Sequence, residues 1–274
     1  MTIIEPKKIS DQLLYCTIRL LIQKHNGDYS CGTGFLFSFD GKKETTYIIT
    51  NKHVIDDCIS GTFVLHEGHF VKNEIQPTGF SFKVQLEQLK KYCKYHPDPD
   101  VDLCAIPIKP IDKLFDNEGK HFFSRHLNPE MIMSDENLKS LGAVEDVLMT
   151  GYPLGLWDES NNFPLIRKGI TSSHPATDFL GKSLTVIDIA TFPGSSGSPV
   201  LVINDRAYVS SSGIPVENRA ILLGVLSERA IYTLEGEVIM QKIPTVKKQI
   251  SQKDIPTHLG YIIKAKEILK MGLC

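Results

Sequence analysis

Short runs of β-branched, aliphatic and aromatic residues alternate along most of the chain with polar segments that contain Gly, Pro, Asn or Asp. Such runs predict strands, and the residues between them predict turns. In the first half the runs cover residues 13–22, 31–39, 45–50, 63–65, 82–86 and 101–108. In the second half they cover residues 145–150, 165–171, 183–188 and 220–227. Many short strands at close spacing are typical of an antiparallel barrel or sandwich.

Helical spacing of apolar residues is scarce, which favours an all-β protein over an α/β protein. Residues 112–126 show mixed helical spacing, residues 135–138 resemble a helix start, and residues 262–271 have Ile and Leu spaced for an amphipathic helix. The predicted organisation is an N-terminal β half at 10–110, a connector at 111–140, a C-terminal β half at 141–260 and a C-terminal helix at 261–274.

The composition is that of an ordinary soluble globular protein, with 42% hydrophobic residues and 23% charged residues. At 274 residues the chain can form one large core or two small ones. Its net charge of -2 points to no nucleic acid and no membrane as a partner. The first eight residues carry charge where a signal peptide needs an apolar core. No run reaches the roughly 18 apolar residues of a membrane span, so the expected location is cytoplasmic.

Six cysteines are spread along the chain without a CxxC pair, so zinc-binding spacing is not visible. They are Cys16, Cys31, Cys58, Cys93, Cys104 and Cys274. In a reducing compartment we expect free, mostly buried thiols, and disulfides are the alternative. The sequence therefore predicts no metal and no other cofactor.

Three small residues, Ser196, Gly197 and Ser198, lie between a Pro-Gly turn at 193–194 and a second proline, Pro199. Apolar β runs flank this stretch on both sides. A Gly-assisted bend between strands can push a serine hydroxyl outward and point successive backbone N–H groups at one spot. The alternative is an ordinary hairpin turn, because Gly, Ser and Pro are common turn residues.

A serine hydroxyl is a poor nucleophile near neutral pH and needs a positioned base. His53 is the candidate among nine histidines, because it directly follows an apolar β run. Asp102 begins an otherwise apolar strand, where an unpaired carboxylate is costly to bury and a His N–H would offset that cost. The alternatives are a hydrogen-bonded histidine at a sheet edge and an aspartate exposed to water.

Three motifs occur in the order His, Asp, Ser: Thr-Asn-Lys-His-Val at 50–54, Asp-Leu-Cys-Ala-Ile at 102–106 and Gly-Ser-Ser-Gly-Ser-Pro at 194–199. Together they resemble those of the trypsin/chymotrypsin-like serine peptidases, and within them the bacterial HtrA-like branch. The resemblance covers roughly residues 10 to 270. It extends through four further segments, at 32–35, 151–155, 167–172 and 223–227.

This resemblance implies an all-β fold of two antiparallel six-stranded β-barrels with a C-terminal helix and an active site between the barrels. It implies that Ser196 is the nucleophile, His53 the general base and then acid, and Asp102 the residue that orients His53. The backbone N–H groups of Gly194 and Ser196 would form the oxyanion hole.

The resemblance also implies how a substrate would bind. Ser227 would lie on the strand that pairs with the substrate backbone. Ala190 matches the base of the primary specificity pocket, and because it is not an acid we expect a small or apolar side chain there rather than Arg or Lys. Ser195 stands where digestive members carry an aspartate that pairs with a new N-terminus, so activation by that route is not expected.

The sequence thus predicts a regulated intracellular serine endopeptidase whose partners are a polypeptide substrate and a protein activator or regulator. The segment 157–164, beside the expected pocket, is the candidate switch. One alternative is a protease-fold protein that holds peptides without cutting them. Another is a hydrolase of non-peptide esters.

Overall fold

The computed structural model describes residues 3–72, 74–116, 120–204, 208–209, 215–216, 219–233, 238–243 and 254–273. Four short helices are present in these ranges: α1 (Ile9–Cys16), α2 (Lys109–Asp116), α3 (Asp135–Leu138) and α4 (Lys266–Leu269). The strands of the first half are β1 (Thr17–Lys24), β2 (Tyr29–Ser38), β3 (Thr46–Thr50), β4 (Cys58–Val71), β5 (Glu74–Glu87), β6 (Lys94–Tyr95), β7 (Cys104–Pro107) and β8 (His121–Phe123). Those of the second half are β9 (Asp146–Gly151), β10 (Leu165–Thr171), β11 (Leu184–Asp188), β12 (Pro199–Asn204), β13 (Tyr208–Val209), β14 (Pro215–Val216), β15 (Arg219–Thr233), β16 (Val238–Lys242) and β17 (Asp254–Lys264). The prediction of an all-β protein is confirmed.

The strands of the first half form an open sheet in the order β5-β4-β1-β2-β3-β7-β6, and β8 pairs with the far end of β4. The prediction of a closed six-stranded barrel in this half is therefore wrong. Helix α2 packs on β5, the strand at one end of the sheet, with Phe115 against Phe82 at 3.8 Å between ring centroids. At the other end, β6 has only two residues, too few to bridge the gap. A helix over a sheet edge protects the unpaired strand as closure would.

The strands of the second half form a closed ring of six. The order is β12-β9-β10-β11-β17-β15, and β12 pairs again with β15 to complete the ring. A seventh strand, β16, lies outside the ring on the edge of β15. This half therefore has the predicted barrel with one strand added to it.

The two sheets share an apolar core, because β2 is buried on both faces. Side chains alternate between the faces of a strand. Leu36 accordingly joins the core of the first sheet, whereas Phe35 and Phe37 join a cluster with Leu201 and Ile263 of the second sheet. The fold thus fixes the two halves against each other along β2.

Four predicted elements differ from the structure. Residues 13–16, predicted as strand, end helix α1, whose Leu13, Tyr15 and Cys16 are buried. The short strands predicted at 63–65 and 82–86 belong to a hairpin of two 14-residue strands, β4 and β5. The predicted C-terminal helix is only α4, because residues up to Lys264 pair in β17 with β11 and β15.

None of the helices formed by the described residues has the length and apolar character needed to cross a membrane.

Candidate active site

The turn before β12 holds Ser196 in a conformation that depends on two glycines. Gly194 has φ +92° and Gly197 has φ +85°, values that favour glycine. A Cβ on Gly197 would also clash with the carbonyl oxygen of Thr33, and one on Gly194 with that of Tyr152. Ser196 itself is completely buried. The turn is therefore a tightly packed element rather than a solvent-exposed hairpin loop.

Thr33 of β2, in the other sheet, donates two hydrogen bonds to this turn. Its backbone N–H donates to the carbonyl oxygen of Ser196 at 2.8 Å, and its hydroxyl donates to that of Gly194 at 2.8 Å. The same hydroxyl accepts the backbone N–H of Tyr152 at 3.1 Å. Thr33 was assigned no role from the sequence, although it lies in one of the matching segments, 32–35. Its contacts identify it as a positioning residue that joins both sheets to the turn.

His53 lies on a single 3-10 turn, Lys52–Val54, that follows β3 directly. Its Nε2 is 2.9 Å from Ser196 Oγ, and its Nδ1 is 2.5 Å from Asp102 Oδ2. The backbone N–H of His53 also donates to Asp102 Oδ1 at 3.1 Å. If Nδ1 carries the proton that Asp102 accepts, Nε2 is left to accept the serine proton. The three side chains thus form one hydrogen-bonded line.

Asp102 is a buried carboxylate with several donors around it, so the exposed alternative is wrong. The hydroxyl of Ser227 donates to its Oδ2 at 2.9 Å, and Lys242 Nζ lies 3.7 Å from its Oδ1. Burial alone raises the pKa of this carboxyl. The hydrogen bond and charge of His53, the charge of Lys242 and the hydroxyl of Ser227 outweigh burial and hold the pKa below its usual range. Asp102 therefore stays ionised near neutral pH.

Ser227 occupies a β-bulge. The pairing of β15 with β17 shifts register between Leu226 and Glu228, so the residue between them has no opposite partner. Bulges often re-aim a side chain beside a functional site, and here the hydroxyl reaches Asp102. The role predicted for Ser227 was that of its backbone, and no sequence motif indicated this side-chain contact.

Two backbone N–H groups of the turn are available to an oxygen atom. The N–H of Ser195 donates to Phe192 O at 3.0 Å, and that of Gly197 donates to Leu226 O at 2.9 Å. Within the described part of the chain, the N–H groups of Gly194 and Ser196 have no acceptor. These are the two groups predicted to form the oxyanion hole, a role that stays a prediction.

Two other residues singled out from the sequence are Ala190 and Ser195. Ala190 is half-buried just beyond the end of β11, and its place at the base of a specificity pocket stays a prediction. Ser195 is buried, and its hydroxyl has no hydrogen-bond partner among the residues described.

A segment that sequence reasoning missed lies beside Ser196. The backbone N–H of Ile243 donates to the carbonyl oxygen of Ser227 at 3.3 Å, and Ser196 Oγ donates to the carbonyl oxygen of Ile243 at 3.2 Å. Ile243 directly follows β16. No local signal marks this residue, because its position depends on how a hairpin in the second half folds back.

A cleft of about 430 Å³ opens beside Gly194, with walls that include Arg19, Leu154 and Trp157. The Arg19 guanidinium lies over the Trp157 ring, 3.9 Å from its centroid. Backbone hydrogen bonds between Asp158 and Phe163 close the loop that follows Trp157. The segment 157–164 thus borders this cleft, and its role as a switch stays a prediction.

Among the residues that the structure describes, no group of His, Cys, Asp and Glu side chains could hold a metal ion. Cys16, Cys58, Cys93 and Cys104 have free thiols, whereas Cys274 lies outside the described residues. Burial raises the pKa of Cys16 and of Cys93 to about 12. These two thiols are therefore protonated and unreactive near neutral pH.

The chain was compared with known families, curated sequences and solved structures. A family model described as a trypsin-like peptidase domain matches residues 32–208, a span that contains His53, Asp102 and Ser196. A search of curated protein sequences finds no match.

Several solved protease structures are similar at low identity. The HtrA-type protease AlgW with a tripeptide is 17% identical with a TM-score of 0.47, over 94% of this chain and 59% of that one. The Rv3671c protease from M. tuberculosis, in its active form, is 15% identical with a TM-score of 0.46, over 97% and 82%. The serine endoprotease from Yersinia pestis is 14% identical with a TM-score of 0.47, over 98% and 66%. The chain thus spans about three fifths of the AlgW chain.

Proposed function

Because the chain belongs to the trypsin-like peptidase domain family, we propose that it is a serine endopeptidase that hydrolyses peptide bonds through an acyl-enzyme. The observation that carries this proposal is the hydrogen-bonded line from Asp102 through His53 to Ser196, with distances of 2.5 Å and 2.9 Å. A serine, a base and a carboxylate in this order are what acyl transfer to a hydroxyl needs.

In the proposed first step, Ser196 Oγ attacks the carbonyl carbon of a peptide bond while its proton passes to His53 Nε2. Asp102 holds the imidazole in the tautomer that can accept this proton and stabilises the imidazolium that forms. The carbonyl oxygen becomes an oxyanion, for which the N–H groups of Gly194 and Ser196 are the donors. His53 then gives the proton to the leaving amine, and a water molecule releases the acyl group by the same steps in reverse order.

The substrate proposed is an extended polypeptide that adds to the edge of β15 near Ser227. The half-buried Ala190 supports a small or apolar side chain in the specificity pocket. The cleft beside Gly194 offers room for the part of the substrate that follows the cleaved bond. Intracellular location and control by an activator protein remain predictions.

Labelling with a fluorophosphonate probe tests this function, because the probe reacts only with an activated serine. We expect stoichiometric labelling of Ser196, detected by mass spectrometry, and hydrolysis of members of a fluorogenic peptide library. Ser196→Ala should abolish labelling and lower peptide hydrolysis by about 10⁴-fold or more, as in chymotrypsin-like triads.

The matched control is Ser195→Ala, which removes a neighbouring buried hydroxyl that has no hydrogen-bond partner among the described residues. It should label at the wild-type rate. Labelling retained in Ser196→Ala would contradict the assignment of Ser196 as the nucleophile. Absence of labelling and turnover in the wild type and in every variant would instead favour the peptide-binding alternative.

A further inference from the structure

The edge of β15 beside the nucleophile is already occupied by the chain itself. Between residues 228 and 232, β15 pairs with β17 on one side and with β16 on the other. The β16 register is Glu228↔Lys242, Arg229↔Gln241 and Ala230↔Met240. This is the edge, directly after Ser227, where the proposed function would place a substrate strand.

Ile243, the residue directly after β16, continues the pairing with β15 and reaches Ser196. Its N–H donates to Ser227 O at 3.3 Å, and its carbonyl oxygen accepts the hydroxyl of Ser196 at 3.2 Å. The carbonyl group of a residue about to be cleaved would also lie beside Ser196 Oγ, with its oxygen on the oxyanion donors. The Ile243 side chain is 0% exposed and belongs to the apolar cluster that contains Ile189 and Leu226, the neighbours of Ala190 and Ser227.

We propose that residues 238–243 are an internal pseudo-substrate, which binds in the position of a substrate strand with Ile243 at the residue whose carbonyl is attacked. The chain as folded then blocks its own site, and peptide hydrolysis requires this strand to leave the edge of β15. The inference rests on the proposed function. It also names the substrate class, an extended peptide with a branched aliphatic residue at the cleaved bond and Lys before it.

The residue before Ile243 fits the same arrangement. Lys242 Nζ lies 3.7 Å from Asp102 Oδ1, while the Lys242 side chain is 54% exposed. An attraction to the triad carboxylate adds to the backbone pairing without burying the lysine charge. A substrate with Lys in this position would make the same contact.

The hydrogen bonds also explain how the segment can remain uncut. A serine hydroxyl has one proton to donate, and Ile243 O competes for it with His53 Nε2. The oxygen of Ile243 bonds to Ser196 Oγ, whereas the N–H groups of Gly194 and Ser196 have no acceptor among the described residues. The Ile243 carbonyl is thus not polarised by the donors that would stabilise an oxyanion.

Two variants of the full chain should release the segment. Ile243→Asp puts a carboxylate into the apolar pocket, where a charge is costly to bury. Gln241→Pro removes a backbone N–H that donates to β15. Hydrogen-bonded and non-hydrogen-bonded pairs alternate along antiparallel strands, and the pair Arg229–Gln241 is two positions from the hydrogen-bonded pair Ser227–Ile243, so it is hydrogen-bonded as well. The control is Ile166→Asp, on β10 outside this segment and 39% exposed.

The readouts are the fluorophosphonate labelling rate and hydrolysis of Met-Gln-Lys-Ile-aminomethylcoumarin, with circular dichroism to establish folding. We expect each folded releasing variant to gain about tenfold or more in both rates, and Ile166→Asp to stay within about twofold of wild type. If one releasing variant does not fold, the other decides. Wild-type rates equal to those of the folded releasing variants would overturn the pseudo-substrate and leave the proposed function standing. No labelling in any of these proteins would overturn both.

The released protein also tests the substrate class. Peptides that end in Met-Gln-Lys-Ile, Met-Gln-Lys-Arg and Met-Gln-Lys-Asp before the fluorophore differ only at the residue that matches Ile243. We expect the Ile peptide to be cut about tenfold faster or more than the Asp peptide, with the Arg peptide also slower. Equal rates for all three would overturn Ile243 as the guide to specificity.

Discussion

Two parts of the chain contact Ser196 from opposite sides. We call them the support side, which is buried between the two sheets, and the substrate side, which is formed by β16. On the support side, the buried hydroxyl of Thr33 of β2 donates to Gly194 O in the turn around Ser196 and accepts the N–H of Tyr152 after β9, which links the two sheets. On the substrate side, β16 is an edge strand attached to β15 and outside the closed ring. The support side includes glycines that no other residue can replace without a clash, whereas β16 has side chains exposed to water.

The difference corresponds to two requirements of the proposed function and the proposed pseudo-substrate. Catalytic groups need positions fixed to a fraction of an ångström, because a misplacement of about 1 Å can cost about 10²-fold in rate. A blocking segment must instead be able to leave. Edge strands have few neighbours and open at low free energy, whereas core strands open only with the whole fold. The variants below test whether the two sides differ in this way.

Gly197→Ala should have the largest effect, because it forces the support side to move. The added Cβ would clash with Thr33 O at a φ of +85°. We expect kcat/KM to fall by about 10²-fold or more and the free energy of unfolding to fall by about 1–3 kcal/mol or more. The measurements are peptide hydrolysis in the Ile243→Asp background and thermal unfolding.

Gly41→Ala is the matched control for this substitution. Gly41 has a similar φ of +81° but open space around the position of a Cβ. It should lose only the stability that the positive φ costs and should keep its activity. Equal losses of activity in the two variants would mean that the turn around Ser196 is no more constrained than the turn at Gly41.

Thr33→Val should have an intermediate effect. Valine has a similar shape but leaves the carbonyl of Gly194 and the N–H of Tyr152 without the threonine hydroxyl. Each buried unpaired group costs about 1–3 kcal/mol, so we expect a lower melting temperature and about a tenfold to hundredfold loss in kcat with KM little changed. Thr33→Ser keeps the hydroxyl and should restore most of the rate. A variant with normal kcat and reduced stability would show that Thr33 supports the fold without positioning the nucleophile.

Lys242→Gln should have the smallest effect, and it concerns pH. The native pKa of Asp102 lies below its usual range, so this carboxyl stabilises the fold at pH values above that range. The contribution is lost as the pH falls through the lowered native pKa. Removal of the Lys242 charge raises that pKa, so acid unfolding should begin at a higher pH. The shift in stability should be modest, because exposed ion pairs contribute about 0–1 kcal/mol.

Thermal unfolding between about pH 5 and pH 2 measures the Lys242→Gln effect. Lys168→Gln is the control, because Lys168 forms an exposed ion pair with Asp146 rather than with Asp102. A shift of the acid transition toward lower pH in Lys242→Gln would contradict the interaction with Asp102.

The sequence was sufficient to predict the triad candidates because their motifs are local. His53 follows a strand, Asp102 begins one, and Ser196 lies in a Gly-rich turn, so each can be recognised within a few residues. The β16 contact could not be predicted, since Ile243 reaches Ser196 only through a hairpin and a register that depend on the edge of β15. The same applies to the hydroxyl of Ser227, whose direction depends on a bulge.

The errors in the predicted fold have a similar origin. Residues 13–16 continue an apolar run into β1, so the run was assigned to one strand although α1 ends at Cys16. The first half was expected to close, yet Phe115 of α2 packs on Phe82 of β5 instead. The pattern of apolar residues indicates that another element will cover the edge of a strand. It does not show whether that element is a helix or a further strand.

The closed ring of the second half also determines when the site can exist during synthesis. Ribosomes make the N-terminal residues first, so Thr33 and His53 precede Ser196 by more than a hundred residues. The ring that carries Ser196 is completed only when β17 (Asp254–Lys264) pairs with β11 and β15. By then residues 238–243 have already emerged, so the blocking strand is available before the ring can close. A growing chain therefore has no assembled nucleophile with which to cut its neighbours.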